Sequence, residues 1–136
     1  MAVAGKDIAV GFELPPFKRT VTMPMMVAMS GDNPIHWDEE LSKKEGLKTA
    51  IATGMINTGW LSHMLMEFFG EDWVVSGQIK NVYVAQVFEH DVVTSRAVVK
   101  DKAQEPGGTR VVMDAWCENQ KGEKVTAGEA SVLVRK

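Results

Sequence analysis

A carboxylate and an imidazole lie four residues apart in the segment 30–38, which reads SGDNPIHWD. Asp32 and His36 are the two groups able to transfer protons, and Asn33 and Pro34 between them favour a tight turn. Histidine changes protonation near neutral pH and can accept a proton from water, while a nearby carboxyl group can orient that water or deliver a proton. The segment therefore predicts acid/base catalysis, although an ordinary turn aspartate and a surface histidine would give the same spacing.

A helix start follows shortly afterwards at Thr53, Gly54 and Met55. Thr53 is predicted to cap the helix, because threonine side chains accept hydrogen bonds from the first helical amides. The Gly54 N–H would then be an unpaired amide at a helix N-terminus, where the helix dipole helps it to bind an oxyanion. Glycine at this position either admits a ligand close to the backbone or simply lets the helix pack against a neighbouring element.

One long helix must follow that start. Apolar side chains recur at i+4 in two rows over residues 54–69, which predicts a largely buried helix that ends before Gly70. A short strand over residues 17–22 and a short helix after Pro24 are expected upstream. A further helical turn is predicted over residues 38–45.

The second half of the chain is rich in valine and is divided by turn signals. Four strands in an antiparallel meander are predicted there; their ranges are 73–88, 92–102, 110–119 and 125–135. In the third strand Val111, Met113, Ala115 and Cys117 alternate on one face. The predicted fold class is therefore α+β, with a curved antiparallel sheet wrapped around a long central helix. We expect residues 1–136 to form a single domain.

Composition argues against several classes of function. The net charge is −3 and no cluster of Lys and Arg stands out, which disfavours nucleic acid or an anionic membrane as the partner. No apolar run is long enough to span a membrane, and no secretory signal is recognised. Cys117 is the single cysteine, which fits a reducing cytoplasm. His36, His63 and His90 lie far apart, so no metal site is expected.

Segments 30–38 and 46–55 together resemble the MaoC-like dehydratase / (R)-specific enoyl-CoA hydratase family. The resemblance implies a hot-dog fold that works as a homodimer or as paired hot dogs. It also implies that Asp32 and His36 form a catalytic dyad, and that Gly54 is the oxyanion amide, with Asn33 and Met55 beside the substrate. The implied reaction adds water to the β-carbon of a trans-2-enoyl thioester, or removes it from a 3-hydroxyacyl thioester. Coenzyme A or acyl-carrier protein would be part of the substrate, and no separate cofactor is implied.

The chain departs from the family pattern Gly-Asp-x-Asn-Pro-[Leu/Ile]-His because no residue separates Asp32 from Asn33. Thr53 also stands where the family commonly has histidine. The shortened turn and the nine methionines leave two alternatives open. One is a repurposed hot-dog enzyme that cyclises or isomerises a bulky apolar intermediate. The other is a non-catalytic hot-dog subunit that pairs with an active partner.

Overall fold

A computed structural model describes residues 8–29, 33–47 and 49–136. Within these ranges the chain forms one five-stranded antiparallel sheet and four α-helices. The strands are β1 (Phe17–Thr20), β2 (Gln78–Tyr83), β3 (Val92–Glu105), β4 (Gly108–Glu118) and β5 (Lys124–Arg135). The helices are α1 (Met23–Met29), α2 (Glu39–Lys44), α3 (Gly54–Phe69) and α4 (Glu71–Ser76). No helix among the described residues is long and apolar enough to cross a membrane.

Helix α3 has the bounds that the two apolar rows predict, and it packs across all five strands. Its buried residues are Ile56, Asn57, Leu61, Met64, Leu65 and Phe69. Met55 and Met66 are exposed, so the prediction of a largely buried helix holds for one side of α3 only. The sheet covers that side, and the opposite side is left open.

The sheet order is β1-β3-β4-β5-β2, with every neighbouring pair antiparallel. Strands β3, β4 and β5 form the last three strands of the predicted four-stranded meander. The predicted inner face of β4 is confirmed, because its four residues are fully buried in the core, namely Val111, Met113, Ala115 and Cys117.

The strand predicted over residues 73–88 is wrong in its first and last parts. Residues 71–76 form helix α4, which follows the turn at Gly70 (φ 63°) and is tied to α3 by the Trp73 indole N–H, 3.0 Å from Ser62 Oγ. Residues 84–91 do not form a hairpin to β3. They lie instead against the segment before α3, where the Ala52 N–H donates to the Val87 carbonyl at 2.8 Å. Strand β2 therefore pairs with β5 and becomes an edge of the sheet.

Candidate functional site

The predicted turn before His36 is a single 3₁₀ turn, Pro34–His36. The Asn33 side chain starts it by accepting a hydrogen bond from the Ile35 N–H at 3.2 Å. Proline suits the first position of the turn, because its fixed φ is helical and no acceptor is needed there for its missing N–H. Residue types that favour turns thus place His36 at the end of a short rigid segment.

A main-chain carbonyl orients the His36 imidazole. The Nδ1 atom lies 2.7 Å from the carbonyl oxygen of Ile51. Because a carbonyl oxygen can only accept, Nδ1 must carry the proton, and the neutral ring then presents Nε2 as a hydrogen-bond acceptor. The Nε2 atom of His36 is therefore the atom that can take a proton from water.

The segment that carries this carbonyl is itself bonded on both sides. The Ile51 N–H donates to the Ile35 carbonyl at 3.1 Å, and the buried Ser42 hydroxyl lies 2.9 Å from the same carbonyl and 2.7 Å from that of Asp38. On the other side Ala52 is bonded to Val87. The histidine turn and the residues leading into α3 therefore form one hydrogen-bonded unit, which places His36 and the start of α3 in a fixed relation.

The N-terminus of α3 is open. Thr53 occupies the N-cap position but makes no side-chain cap bond, so the predicted cap by its hydroxyl is wrong. The Ile56 N–H, which such a hydroxyl would bind, donates at 3.1 Å to the main-chain carbonyl of Thr53 instead. The Gly54 N–H has no acceptor among the described residues. The unpaired amide agrees with its place at the helix start, and its use by an oxyanion stays a prediction.

The ring of Tyr83 lies directly over Gly54. A Cβ atom on Gly54 would stand 2.6 Å from Tyr83 Cδ2, a distance that requires the ring to move. The phenol is held by Thr58, whose Oγ1 lies 3.0 Å from Tyr83 Oη and accepts a bond from Asn81 Nδ2 at 3.1 Å. Sequence reasoning missed Tyr83, because the contact joins residues far apart in the chain and the ring was expected to be part of a longer strand.

A cavity of about 240 Å³ opens beside Gly54. Its wall includes Gly54, Asn57, Tyr83, residues 51–52 and residues 84–87. Asn57 is only 2% exposed, and its Oδ1 atom is buried with no hydrogen-bond partner among the described residues. No pattern in the sequence points to Asn57, which lies among apolar neighbours on a helix expected to be apolar.

Of the predicted site residues, Gly54 lines this cavity, whereas His36 is not part of its wall and is connected to it through the bond to the Ile51 carbonyl. Asp32 lies outside the described residues, so its pairing with His36 stays a prediction. Asn33 lines a separate open cavity beside α2, and the Met55 side chain is 63% exposed. The described residues hold no group of three or more His, Cys, Asp and Glu side chains arranged for a metal ion.

A family model described as MaoC like domain matches residues 10–116. The chain belongs to the MaoC-like domain family. The match spans both motifs and every residue that lines the cavity beside Gly54. A comparison with curated protein sequences gave no match.

Solved structures share the fold. The unliganded R-hydratase PhaJ1 of Pseudomonas aeruginosa is 22% identical, with a TM-score of 0.81 over 96% of this chain and 84% of that chain. The (R)-hydratase of A. caviae, described as involved in PHA biosynthesis, is 18% identical with a TM-score of 0.80, and covers 96% of this chain and 99% of that one. A chain of the ChsH1–ChsH2 complex of Mycobacterium tuberculosis is 19% identical with a TM-score of 0.75, over 93% and 98%. The predicted hot-dog fold is confirmed.

Proposed function

We propose that this protein is a hydro-lyase that interconverts a trans-2-enoyl thioester and a 3-hydroxyacyl thioester. The observation that carries the proposal is the bond from His36 Nδ1 to the Ile51 carbonyl, which leaves Nε2 as a base on the same bonded unit as the open Gly54 amide. Membership of the MaoC-like family supports the reaction class. The acyl group would be carried by coenzyme A or acyl-carrier protein.

In the hydration direction, three groups act on the water and the substrate. The Gly54 N–H donates to the thioester oxygen, which gains negative charge as the enolate forms. His36 Nε2 accepts a proton from water while the water oxygen bonds to the β-carbon. Asp32 is proposed to orient that water or to deliver a proton to the α-carbon; in either case the proton that His36 takes from water is passed on, directly or through Asp32, to the α-carbon, so that both side chains are regenerated. Dehydration runs through the same steps in reverse.

We further propose that two hot-dog units pair through β2. This strand is an edge of the sheet, and Val82 and Val84 on and just after it are 65% and 57% exposed. An exposed apolar edge strand is a template for pairing with another chain. A second copy of this chain would form a homodimer, and the pairing of different chains in the ChsH1–ChsH2 complex suggests how a heteromer could arise instead. A reducing cytoplasm is the compartment we propose.

Dyad variants test the reaction. Purified His36→Ala and Asp32→Asn should each lose about 10²–10⁴-fold in kcat/KM for hydration of crotonyl-CoA and longer enoyl-CoAs. His63→Ala is the matched control, because His63 lies on the side of α3 away from the cavity and pairs with Glu67 at 3.2 Å. Circular dichroism checks that each variant is folded. Wild-type hydration rates in both dyad variants would contradict the assignment.

Neither alternative gains specific support. The cavity of about 240 Å³ is below the ≈300–1,000 Å³ usual for drug-sized ligands, and it contains a buried amide, so it suits a small polar acyl group better than a bulky apolar intermediate. A non-catalytic subunit would show no hydration alone and would regain it with an active partner. The same assay, run on the purified chain, distinguishes these cases.

A further inference from the structure

The strongest unexplained feature of the site is the Asn57 side chain. Buried polar atoms are almost always paired with protein or water, because an unpaired one loses its hydration without compensation. The Asn57 Oδ1 atom has no partner among the described residues, although the residue is 2% exposed and forms part of the cavity wall. An acceptor in this position calls for a donor, and none among the described residues is hydrogen-bonded to it.

Several buried polar groups lie behind Asn57, although none of them lines the cavity. The Cys117 thiol donates to the main-chain carbonyl of Asn57 at 3.6 Å and lies 3.6 Å from Ser95 Oγ. Thr126 is the cross-strand partner of Cys117, and its Oγ1 atom is also buried without a partner among the described residues. Two polar atoms without partners thus belong to one small group of buried side chains. Such a group fits a ligand that carries a hydroxyl.

The position of Asn57 on α3 determines which part of a substrate it can reach. Residues three apart on a helix share a face, so Asn57 lies one turn along the helix from Gly54 on that face. A thioester oxygen held by the Gly54 amide would therefore place the next acyl carbons beside Asn57. The first hydroxyl along a 3-hydroxyacyl chain stands on the β-carbon, whereas the enoyl form has no donor there.

We propose that Asn57 is a specificity-determining residue that accepts a hydrogen bond from the 3-hydroxyl of the substrate. This inference rests on the proposed function and names the form of the substrate that the site binds best. Buried acceptors built for a hydroxyl discriminate strongly against ligands that lack it, because the acceptor is then left unpaired. The site therefore favours the 3-hydroxyacyl thioester over acyl thioesters without a hydroxyl.

Equilibrium binding to the wild-type protein tests this directly. Equilibrium dialysis would compare 3-hydroxybutyryl-CoA, as both enantiomers, with butyryl-CoA. One enantiomer should bind roughly 10-fold more tightly or better than butyryl-CoA. Both ligands carry the same pantetheine arm, so donors on that arm cancel from the ratio. 2-Hydroxybutyryl-CoA, with the hydroxyl moved by one carbon, should show no such gain.

Asn57→Leu removes the acceptor at similar volume. In this variant the affinities for 3-hydroxybutyryl-CoA and butyryl-CoA should differ by less than about 2-fold, since no buried acceptor remains to be satisfied. Ser62→Ala is the matched control, because the Ser62 hydroxyl on the same helix is paired with the Trp73 indole outside the cavity wall, and it should keep the wild-type ratio. If Asn57→Leu does not fold, the ligand ratios of the wild-type protein decide the question without it.

The possible outcomes separate this inference from the proposed function. Hydration of crotonyl-CoA with equal binding of the 3-hydroxy and plain acyl ligands overturns the role of Asn57 and leaves the hydro-lyase standing. That result would indicate that bound water satisfies Asn57 with every ligand. Failure of all CoA and acyl-carrier thioesters to bind or react overturns the proposed function, and the role of Asn57 with it.

Discussion

The two ends of helix α3 differ in how well they satisfy ordinary folding requirements. At the C-terminal end Leu65 and Phe69 are almost fully buried, and the Gly70 N–H caps the helix by donating to the Met66 carbonyl at 2.8 Å. At the N-terminal end the Gly54 amide is open and the buried Asn57 Oδ1 lacks a partner among the described residues.

This difference teaches where the molecule gains stability and where it gives some up. Apolar burial and the bond from the Gly70 N–H stabilise the C-terminal end, whereas unpaired polar groups at the N-terminal end cost stability in the unliganded protein. Natural proteins break local folding rules mainly at functional sites. The comparison therefore predicts that substitutions at one end change unfolding and that those at the other change catalysis.

Phe69→Ala should have the largest effect. It removes a ring that is 1% exposed and packs edge-to-face on Phe68 at 4.9 Å, so we expect a loss of about 3–5 kcal/mol in the free energy of unfolding. Urea denaturation measures it. Met66→Ala, at a side chain 44% exposed on the same turn region, should change stability by less than about 1 kcal/mol. A small loss of unfolding free energy in Phe69→Ala would contradict the view that the C-terminal end of α3 is the stabilising end.

Gly54→Ala should act on catalysis. The added Cβ would displace the Tyr83 ring and crowd the open amide, so kcat/KM for enoyl-CoA hydration should fall by about 10²-fold. Gly59→Ala is the matched control, because an added Cβ there meets nothing within 4 Å. That control should keep activity and stabilise the helix by about 0.5–1 kcal/mol. Full activity in Gly54→Ala would contradict the proposal that the Gly54 N–H stabilises the oxyanion.

The smallest predicted effect is a pH dependence of stability that arises from the Cys117 thiol. Burial raises the pKa of its thiol from 9.0 to about 11, and the hydrogen bond with Ser95 opposes that rise. Below pH 9 the thiol is protonated in both states, so it adds no pH dependence; as pH rises from about 9 towards 11 the unfolded chain loses the proton first. Stability should therefore fall by about 2 kcal/mol across that window, beyond the change seen in Cys117→Ala. Equal pH profiles for the two proteins would show that the thiol ionises without cost.

Periodicity predicts the parts of the fold that depend on local pattern. The bounds of α3 follow from its apolar rows together with the start signal at Thr53 and the stop at Gly70, and the inner face of β4 follows from alternation. Helix α4 could not be predicted in this way, because Trp73 and its two following valines favour a strand locally. The bond from Trp73 to Ser62 and the turn at Gly70 determine the helix instead.

The sequence predicts some of the residues of the candidate site, but it does not predict the contacts between them. Motif spacing identifies His36 and Gly54. The contacts that determine what these two residues can do chemically are made with residues distant from them in the chain. The Ile51 carbonyl sets the tautomer of His36, and the Tyr83 ring defines the space at Gly54. Such long-range contacts leave no periodic signal in a single sequence. Asn57 was missed for the same reason, since its significance comes from the cavity beside it.

The bond from His36 to Ile51 has a consequence for sequence drift. Its acceptor is a main-chain atom, which every amino acid possesses, so the side chain at position 51 can change without altering the protonated nitrogen of His36. What must be kept is the position of the backbone at residue 51, which is held by the bond from the Ala52 N–H to the Val87 carbonyl. Proline at position 52 cannot donate that bond. It would therefore disturb the orientation of His36 more than most replacements of the side chain at position 51.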